Sequence, residues 1–368
     1  MNGVRRSACV VPALLVALGG CGTAPAPTRS PEPSVPALSG WQPTTLPAAD
    51  PLVGYGTVVA TRIGFVVAGG YLDRPAAWSS SDGEQWTEDP IPGDTRNPSD
   101  SIVWGDRVLL VGAGEFGPGC GHPHAIDTWV GDGTGNWLHA PFQQLFCAGG
   151  TPAVAVAGGL AVIVGAGSGD VPYAWSSEDG LHWDDHAGAF TEVGLPFKVL
   201  ATPAGFVALG VGEQGTWFER SADGARWRDL VNLPAPRDAR PIGATVVGTR
   251  LVVMLGEPAG TVVRLSSEEA STWTVDPIEG LVASALNKIE AIPGGLVALG
   301  GDDTGPTMWV SADGLAWRPV VLPETMRGGY VTDVAVGHGR AVIIGGVIGP
   351  NGETSPAAWV GPSSLLEP

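Results

Sequence analysis

The sequence predicts an all-β fold, a seven-bladed β-propeller of four-stranded antiparallel blades. A segment ending in tryptophan recurs with gaps of 44 to 51 residues, and a short apolar run bounded by glycine recurs with it. The 56 glycines indicate short strands with many turns. Because four short strands in about 45 residues make one propeller blade, the repeat predicts the architecture directly.

Each repeat begins with a short strand and an apolar run, and it ends with the tryptophan. The apolar runs are too short for helices and fit strands buried on both faces. They occupy residues 64–70, 107–114, 160–167, 205–212, 250–257, 295–301 and 340–346. The tryptophans that follow them are Trp86, Trp137, Trp183, Trp227, Trp273 and Trp317.

The seventh repeat ends without its tryptophan, and the missing strand is predicted at the other end of the chain. The segment from Gly40 to Pro47 parallels residues 315–323, and Trp41 precedes Trp86 by 45 residues. An N-terminal strand that completes the last blade closes the ring and leaves no open sheet edge. We therefore expect one propeller domain over residues 40–368.

The recurrent segment has the pattern Ser-x-Asp-Gly-x-x-Trp, in which Asp-Gly suits a tight hairpin. It resembles the Asp-box, or BNR repeat, of sialidases, sortilin-type receptors and photosystem assembly propellers, although that box usually has one residue between Asp and Gly. The resemblance implies a structural hairpin between the third and fourth strands. A row of carbohydrate-stacking tryptophans is the functional alternative. The residues assigned to the motif are Ser80, Asp82, Trp86, Ser177, Asp179, Trp183, Asp223, Trp227, Asp313 and Trp317; the copies at 131–137 and 267–273 are degenerate.

The N-terminus has the pattern of an export signal. Arg5 and Arg6 precede the apolar run 9–20, which is too short to span a bilayer as a mature helix. The stretch that ends at Cys21 resembles a bacterial lipobox, which implies cleavage before Cys21 and its acylation. An ordinary signal peptide is the alternative. We expect a signal at 1–20, a lipidated cysteine with a proline-rich tether at 21–39, and a location on the extracytoplasmic side of a bacterial membrane.

Composition and motifs exclude several function classes. The formal net charge is −18, and Lys198 and Lys288 are the only lysines, so a nucleic acid partner is not expected. The sequence has no P-loop, HExxH or Ser-x-Gly nucleophile motif, and no cofactor is predicted. Sialidases use three arginines with a Tyr/Glu pair and an acidic residue, and the four tyrosines here fall in no such pattern. A sialidase-like hydrolase is retained as an alternative.

We call the four strands of a predicted blade A to D in chain order. The B–C and D–A connections then share the face opposite the hairpins, where a ligand is expected. The longest repeat has its additional residues in 112–128, which holds Cys120, and the next D–A connection holds Cys147. Outside the cytoplasm these two cysteines favour a disulfide. A zinc or copper site from Cys120, His122, His124 and His139 is the alternative. Other candidate contacts on this face are Tyr71, Asp73, Arg74, Asp302 and Asp303.

These observations favour a lipid-anchored binding or assembly platform. Its membrane contact would be the lipid anchor, and its ligand would be a protein, a peptide or a glycan bound at the face opposite the hairpins. A structural envelope component without a ligand is a further alternative.

Overall fold

Seven four-stranded antiparallel sheets form a ring, and they confirm the predicted seven-bladed β-propeller. The computed structural model describes residues 40–48, 52–72, 74–93, 98–114, 125–140, 149–166, 171–191, 194–268, 272–302, 304–349 and 351–368. We number the blades one to seven by their inner strands.

Each blade has an inner strand A, then strands B and C, and an outer strand D, hydrogen-bonded in that order. The A strands are β2 (Leu52–Thr61), β6 (Pro98–Trp104), β10 (Gly149–Ala157), β14 (Leu195–Thr202), β18 (Arg240–Val247), β22 (Leu286–Ile292) and β26 (Tyr330–Gly337). The B strands are β3 (Gly64–Tyr71), β7 (Arg107–Gly114), β11 (Leu160–Ala166), β15 (Gly205–Gly212), β19 (Arg250–Gly256), β23 (Gly295–Asp302) and β27 (Arg340–Ile348).

The C strands are β4 (Pro75–Ser80), β8 (Ala125–Gly131), β12 (Pro172–Ser177), β16 (Gly215–Ser221), β20 (Val262–Ser267), β24 (Gly305–Ser311) and β28 (Thr354–Pro362). The D strands are β5 (Thr87–Asp89), β9 (Trp137–His139), β13 (Asp184–Asp185), β17 (Arg228–Asn232), β21 (Thr274–Ile278), β25 (Arg318–Pro319) and, for blade seven, β1 (Gln42–Thr44). Short 3-10 turns lie at Ala283–Ala285, Glu324–Met326 and Ser363–Leu366. Within the described ranges, no helix has the length and apolar character needed to cross a membrane.

The apolar runs form the B strands, as predicted, and supply much of the core. All eight residues of β3 are buried. Neighbouring blades cover both faces of each B strand, so alternation of polar and apolar residues is absent there. The same packing explains why these runs are continuous in the sequence.

Strand β1 closes the ring by pairing with β28, which confirms the predicted N-terminal closure. Gln42 lies opposite Val360 and Thr44 opposite Ala358. Trp41, just before β1, is only 3% exposed. A Cβ atom on Gly361 would lie 2.8 Å from the Trp41 ring, so glycine lets the indole lie against the strand. The first and last described segments therefore form one sheet.

Ring closure yields a stability prediction. Replacing Trp41 with Ala removes a buried indole from the closing blade, and we expect the free energy of unfolding to fall by about 3 kcal/mol. Gln42→Ala is the matched control, since this exposed side chain lies in the same strand, and its effect should stay within about 0.5 kcal/mol. Denaturant unfolding of the two variants measures the difference. Equal effects would contradict a stabilising role of the indole in closure.

Candidate functional site

The antiparallel strands divide the connections between two faces. Because strand direction alternates, the A–B turns and C–D hairpins lie at one end of the blades, which we call the lower face. The B–C and D–A connections lie at the other end, the upper face. The Ser-x-Asp-Gly-x-x-Trp segments connect C to D strands and therefore lie on the lower face.

A closed hydrogen-bond network holds the first hairpin. The Asp82 carboxylate accepts the amides of Glu84 and Gln85 at 2.8 and 2.9 Å, and the Ser80 hydroxyl accepts the Gly83 amide at 2.8 Å. The backbone amides of Gln85 and Glu84 hold the pKa of Asp82 below its ordinary value. The Trp86 indole donates to the Gly83 carbonyl at 2.9 Å. The polar groups that suggest a binding site in the sequence therefore form hydrogen bonds with one another within the hairpin.

The hairpin also joins neighbouring blades. Gly83 has a φ of 77°, and a Cβ atom there would lie 2.8 Å from Val342 and 3.1 Å from Val360, both in blade seven. Only glycine combines this backbone conformation with such a close approach. The indole-to-glycine hydrogen bond recurs at Trp183, Trp227 and Trp317. The motif therefore has a packing role on the lower face.

The upper-face residues proposed from the sequence have different environments. Tyr71 is buried, with 1% of its surface exposed, so its ring is not presented to a ligand on that face. Arg74 lies over that ring at 3.8 Å and forms an ion pair with Glu88 at 3.3 Å. Asp302 is exposed and accepts the Thr304 amide and hydroxyl, which lower the pKa of Asp302. The Asp302 carboxylate therefore forms its hydrogen bonds within its own turn.

Several predicted site residues lie outside the described residues: Cys21, Asp73, Cys120, His122, His124, Cys147 and Asp303. The disulfide, the metal alternative and lipidation therefore stay predictions. Within the described chain, no group of three or more His, Cys, Asp or Glu residues is placed to hold a metal ion. His139, the fourth residue of the metal alternative, lies 3.1 Å from the Asp127 carboxylate and stacks on Trp129.

Side chains of the C strands anchor the D–A connections of the upper face. The indoles of Trp78 and Trp129 each donate at 2.6 Å to a proline carbonyl in the connection that enters their own blade. The Trp359 indole instead donates at 3.2 Å to a side chain of the connection that enters blade seven, the Thr325 hydroxyl. These bonds hold three D–A connections against the interior of their blades.

Blade four replaces this anchor with a buried carboxylate. Glu219 pairs with the fourth residue of its B strand, Ala208, as Trp78 pairs with Val67. It is fully buried and accepts the Thr191 amide at 2.9 Å, in the connection that enters blade four. In blade four the anchoring side chain therefore accepts a hydrogen bond, whereas in blades one, two and seven it donates one.

A polar network lines the central channel at the junction of blades six, seven and one. The Lys288 ammonium lies 2.8 Å from Asp333 and 2.7 Å from Glu290. Asp333, with 2% of its side chain exposed, also accepts the Val58 amide at 2.9 Å and the Thr57 hydroxyl at 3.1 Å. Three blades therefore meet at one carboxylate.

These contacts shift the pKa values of Glu290 and Lys288. Burial and the charge of Asp333 together raise the pKa of Glu290 to about 7, although Lys288 opposes them. Burial alone would lower the pKa of Lys288, but the charges of Asp333 and Glu290 hold it above its ordinary value. Lys288 therefore stays charged while Glu290 titrates near neutral pH.

The channel opens into a cavity of about 470 Å³ at the upper face, between blades four, five and six. Leu195, Phe197 and Ile242 form part of its apolar wall, and Lys198 and Lys288 reach it from two A strands. A narrower space of about 230 Å³ continues inward past Lys198 and Glu290. The cavity combines an apolar wall with charged groups, as ligand sites commonly do.

Sequence reasoning noted both lysines but assigned them no site. The signal that was missed is their spacing: Lys198, Gly243, Lys288 and Asp333 follow one another at intervals of 45 residues. Each is the first paired residue after a shift of register in its A strand. A search for charged residues in phase with the repeat would have found this channel position.

Comparisons with known proteins support the fold alone. No protein-family model matches the chain, and no curated protein does. Among solved structures, YCF48 bound to a D1 peptide has a TM-score of 0.55 at 14% identity, with 87% of this chain and 94% of that one covered. A puromycin hydrolase variant in complex with PGG has a TM-score of 0.54 at 14% identity, with 80% and 50% covered. The present chain thus spans half of that hydrolase.

A protein of unknown function from Dyadobacter fermentans has a TM-score of 0.51 at 14% identity, with 88% of this chain and 99% of that one covered. The similarity to all three structures concerns the propeller architecture.

The raised pKa of Glu290 gives a pH prediction. Between its ordinary value of 4.5 and about 7, the folded protein holds a proton that the unfolded chain releases. The stability contributed by this proton is complete below about pH 4.5 and is lost as the pH rises through about 7. Because the side chain is partly exposed, we expect a loss on the order of 2 kcal/mol.

Glu290→Gln should remove this component, so the difference in free energy of unfolding between about pH 5 and pH 8 becomes smaller. Glu279→Gln, at an exposed position, is the control and should keep the wild-type pH profile. Denaturant titrations at both pH values measure the effect. An unchanged profile in Glu290→Gln would contradict the raised pKa.

Proposed function

We propose that this chain is a lipid-anchored, extracytoplasmic binding platform that holds a peptide segment of another protein on its upper face. The platform is the propeller from residue 40 onward, and the ligand lies across the B–C and D–A connections near the channel mouth. A rigid ring of blades suits this role, since binding residues on loops need a fixed scaffold.

The distribution of exposed apolar side chains carries the proposal. The described residues include eleven large hydrophobic side chains that are exposed, and seven of them lie on the upper face. Those seven are Leu72, Val171, Leu195, Val282, Val321, Tyr330 and Ile348. The lower face has Ile63 and Leu315, and the outer strands have Leu138 and Val275. A face that carries most of the exposed apolar side chains is a candidate interaction surface.

Aliphatic groups favour a peptide over a glycan as the ligand. Glycans offer mainly hydroxyl groups, whereas side chains such as Val282 and Val321 offer contacts without hydrogen bonds. Support also comes from the solved YCF48 structure, a propeller of similar architecture that contains a peptide. A peptide segment is therefore the ligand class that we adopt.

The anchor is proposed from the N-terminal sequence. The pair Arg5 and Arg6, the apolar run 9–20 and Cys21 fit a lipoprotein signal, and the prolines of 22–39 fit a tether between membrane and propeller. Acylation of Cys21 by more than one chain would hold the protein stably at a membrane.

A peptide library tests the platform. Peptides selected on the full chain should bind the wild-type protein and lose about tenfold in affinity for Val282→Glu combined with Val321→Glu, because the added charges disrupt apolar contacts. Leu138→Glu combined with Val275→Glu is the matched control on the outer strands and should bind normally. Fluorescence anisotropy measures both. Failure to select peptides, or equal losses in the two pairs, would contradict the proposal.

Metabolic labelling with a palmitate analogue tests the anchor. We expect the wild-type chain to incorporate the label and to sediment with membranes, and Cys21→Ser to do neither, since the acyl acceptor is lost. Cys9→Ser, in the same N-terminal region, is the control and should be labelled normally. Labelling of Cys21→Ser would contradict acylation at this residue.

A further inference from the structure

The two lysines occupy equivalent positions in blades four and six. Lys198 pairs with Leu209 and Lys288 with Leu299, each directly after a register shift in its A strand. Equivalent side chains in a propeller meet equivalent surroundings unless the neighbouring blade differs. The contacts of one lysine therefore show what the other lacks.

Lys288 has two carboxylate partners. Asp333, at the equivalent position of the next blade, lies 2.8 Å away, and Glu290, two residues further along the same strand, lies 2.7 Å away. Together they neutralise a half-buried ammonium group. Such pairing is the usual condition for a lysine away from bulk water.

Lys198 lacks both partners. The equivalent position of the next blade is Gly243, and the residue two further along its own strand is Leu200. Within the described residues, Lys198 forms no hydrogen bond or ion pair. Glu290 lines the same inner space and the charge of Lys198 lowers its pKa, but no ion pair joins the two side chains. Lys198 is thus a partly buried cation that forms no ion pair with any described residue.

A side chain at position 243 has no room to act as Asp333 does, because a Cβ atom on Gly243 would lie 2.9 Å from the Ile289 side chain. Lys198 and Gly243 both line the cavity of about 470 Å³, together with Leu195, Phe197 and Ile242. It opens on the upper face, where Leu195 is 47% exposed at its rim. A ligand that enters there meets an apolar wall and one unpaired ammonium group.

We propose that this cavity binds a carboxylate-bearing peptide segment, with an acidic side chain on Lys198 and a neighbouring apolar side chain against Phe197 and Ile242. The inference rests on the proposed peptide platform and specifies its ligand. The formal net charge of −18 repels acidic segments at long range, so recognition of one requires a local cation. Lys198 provides that cation, whereas the charge of Lys288 is neutralised within the fold.

The test uses the fact that the chain contains two lysines. Labelling the full chain with lysine carrying ¹³C at Cε gives one NMR signal for each lysine, and Lys198→Arg assigns them. The probe is the peptide acetyl-Leu-Glu-Leu-amide, and acetyl-Leu-Gln-Leu-amide differs from it only in charge. We expect the acidic peptide to shift the Lys198 signal and to bind about tenfold more tightly than the neutral one.

Variants separate a role in binding from a role in folding. Lys198→Gln should weaken binding of the acidic peptide about tenfold, measured by calorimetry, and Lys198→Arg should restore most of it because the charge is kept. Arg327→Gln, at an exposed cation of the upper face outside the cavity, is the matched control and should bind as the wild type does. Unchanged affinity in Lys198→Gln, or equal binding of both peptides, would overturn the inference.

The two proposals fail in different ways. If library peptides bind and respond to Val282 and Val321 but not to Lys198, the platform stands and the carboxylate site is wrong. If no peptide binds, the platform and the carboxylate site fail together.

Discussion

Closure of the ring is the constraint on which every other feature depends. Blade seven would expose the edge of its C strand without β1, and three residue pairs from Gln42 to Thr44 cover that edge. The closure is reinforced inside the channel, where Asp333 of blade seven accepts the Val58 amide of blade one at 2.9 Å. The outer strand and the inner carboxylate thus hold the same pair of blades from opposite sides. A ring fixed at this junction keeps every loop of the upper face in place.

The blades anchor their D–A connections with two kinds of side chain, an indole or a carboxylate. A D–A connection must have its backbone groups satisfied where it crosses a blade, and Trp78 and Trp129 do so by donating an indole hydrogen bond to a carbonyl. Glu219 does so by accepting an amide, with a carboxylate buried completely. An indole adds apolar packing, whereas a carboxylate does not. Among these anchors, the one in blade four is a buried acid.

The channel shows a similar asymmetry between equivalent positions. Lys288 is neutralised by Asp333 and Glu290, whereas the positions equivalent to these two acids around Lys198 hold Gly243 and Leu200. A repeat fold places these residues at the same depth, so the contrast between the two lysines reflects their different neighbours and not their position in the blade. The proposed site follows from this contrast within one chain, since the fold is the same in both blades.

The sequence by itself determined the blade number, the strand order and the N-terminal closure, because each depends on local patterns that recur at a fixed spacing. It also identified the hairpins as structural, since Asp82 and Trp86 interact with residues a few positions away. Only the tertiary structure decided which residues face the channel, that Tyr71 is buried, and that no described residue forms an ion pair with Lys198. Those properties depend on contacts between blades, such as that of Lys288 with Asp333, and on the burial of side chains by neighbouring sheets. The repeat pattern determines the strands of each blade, and the packing of blades around the axis determines the contacts of each side chain.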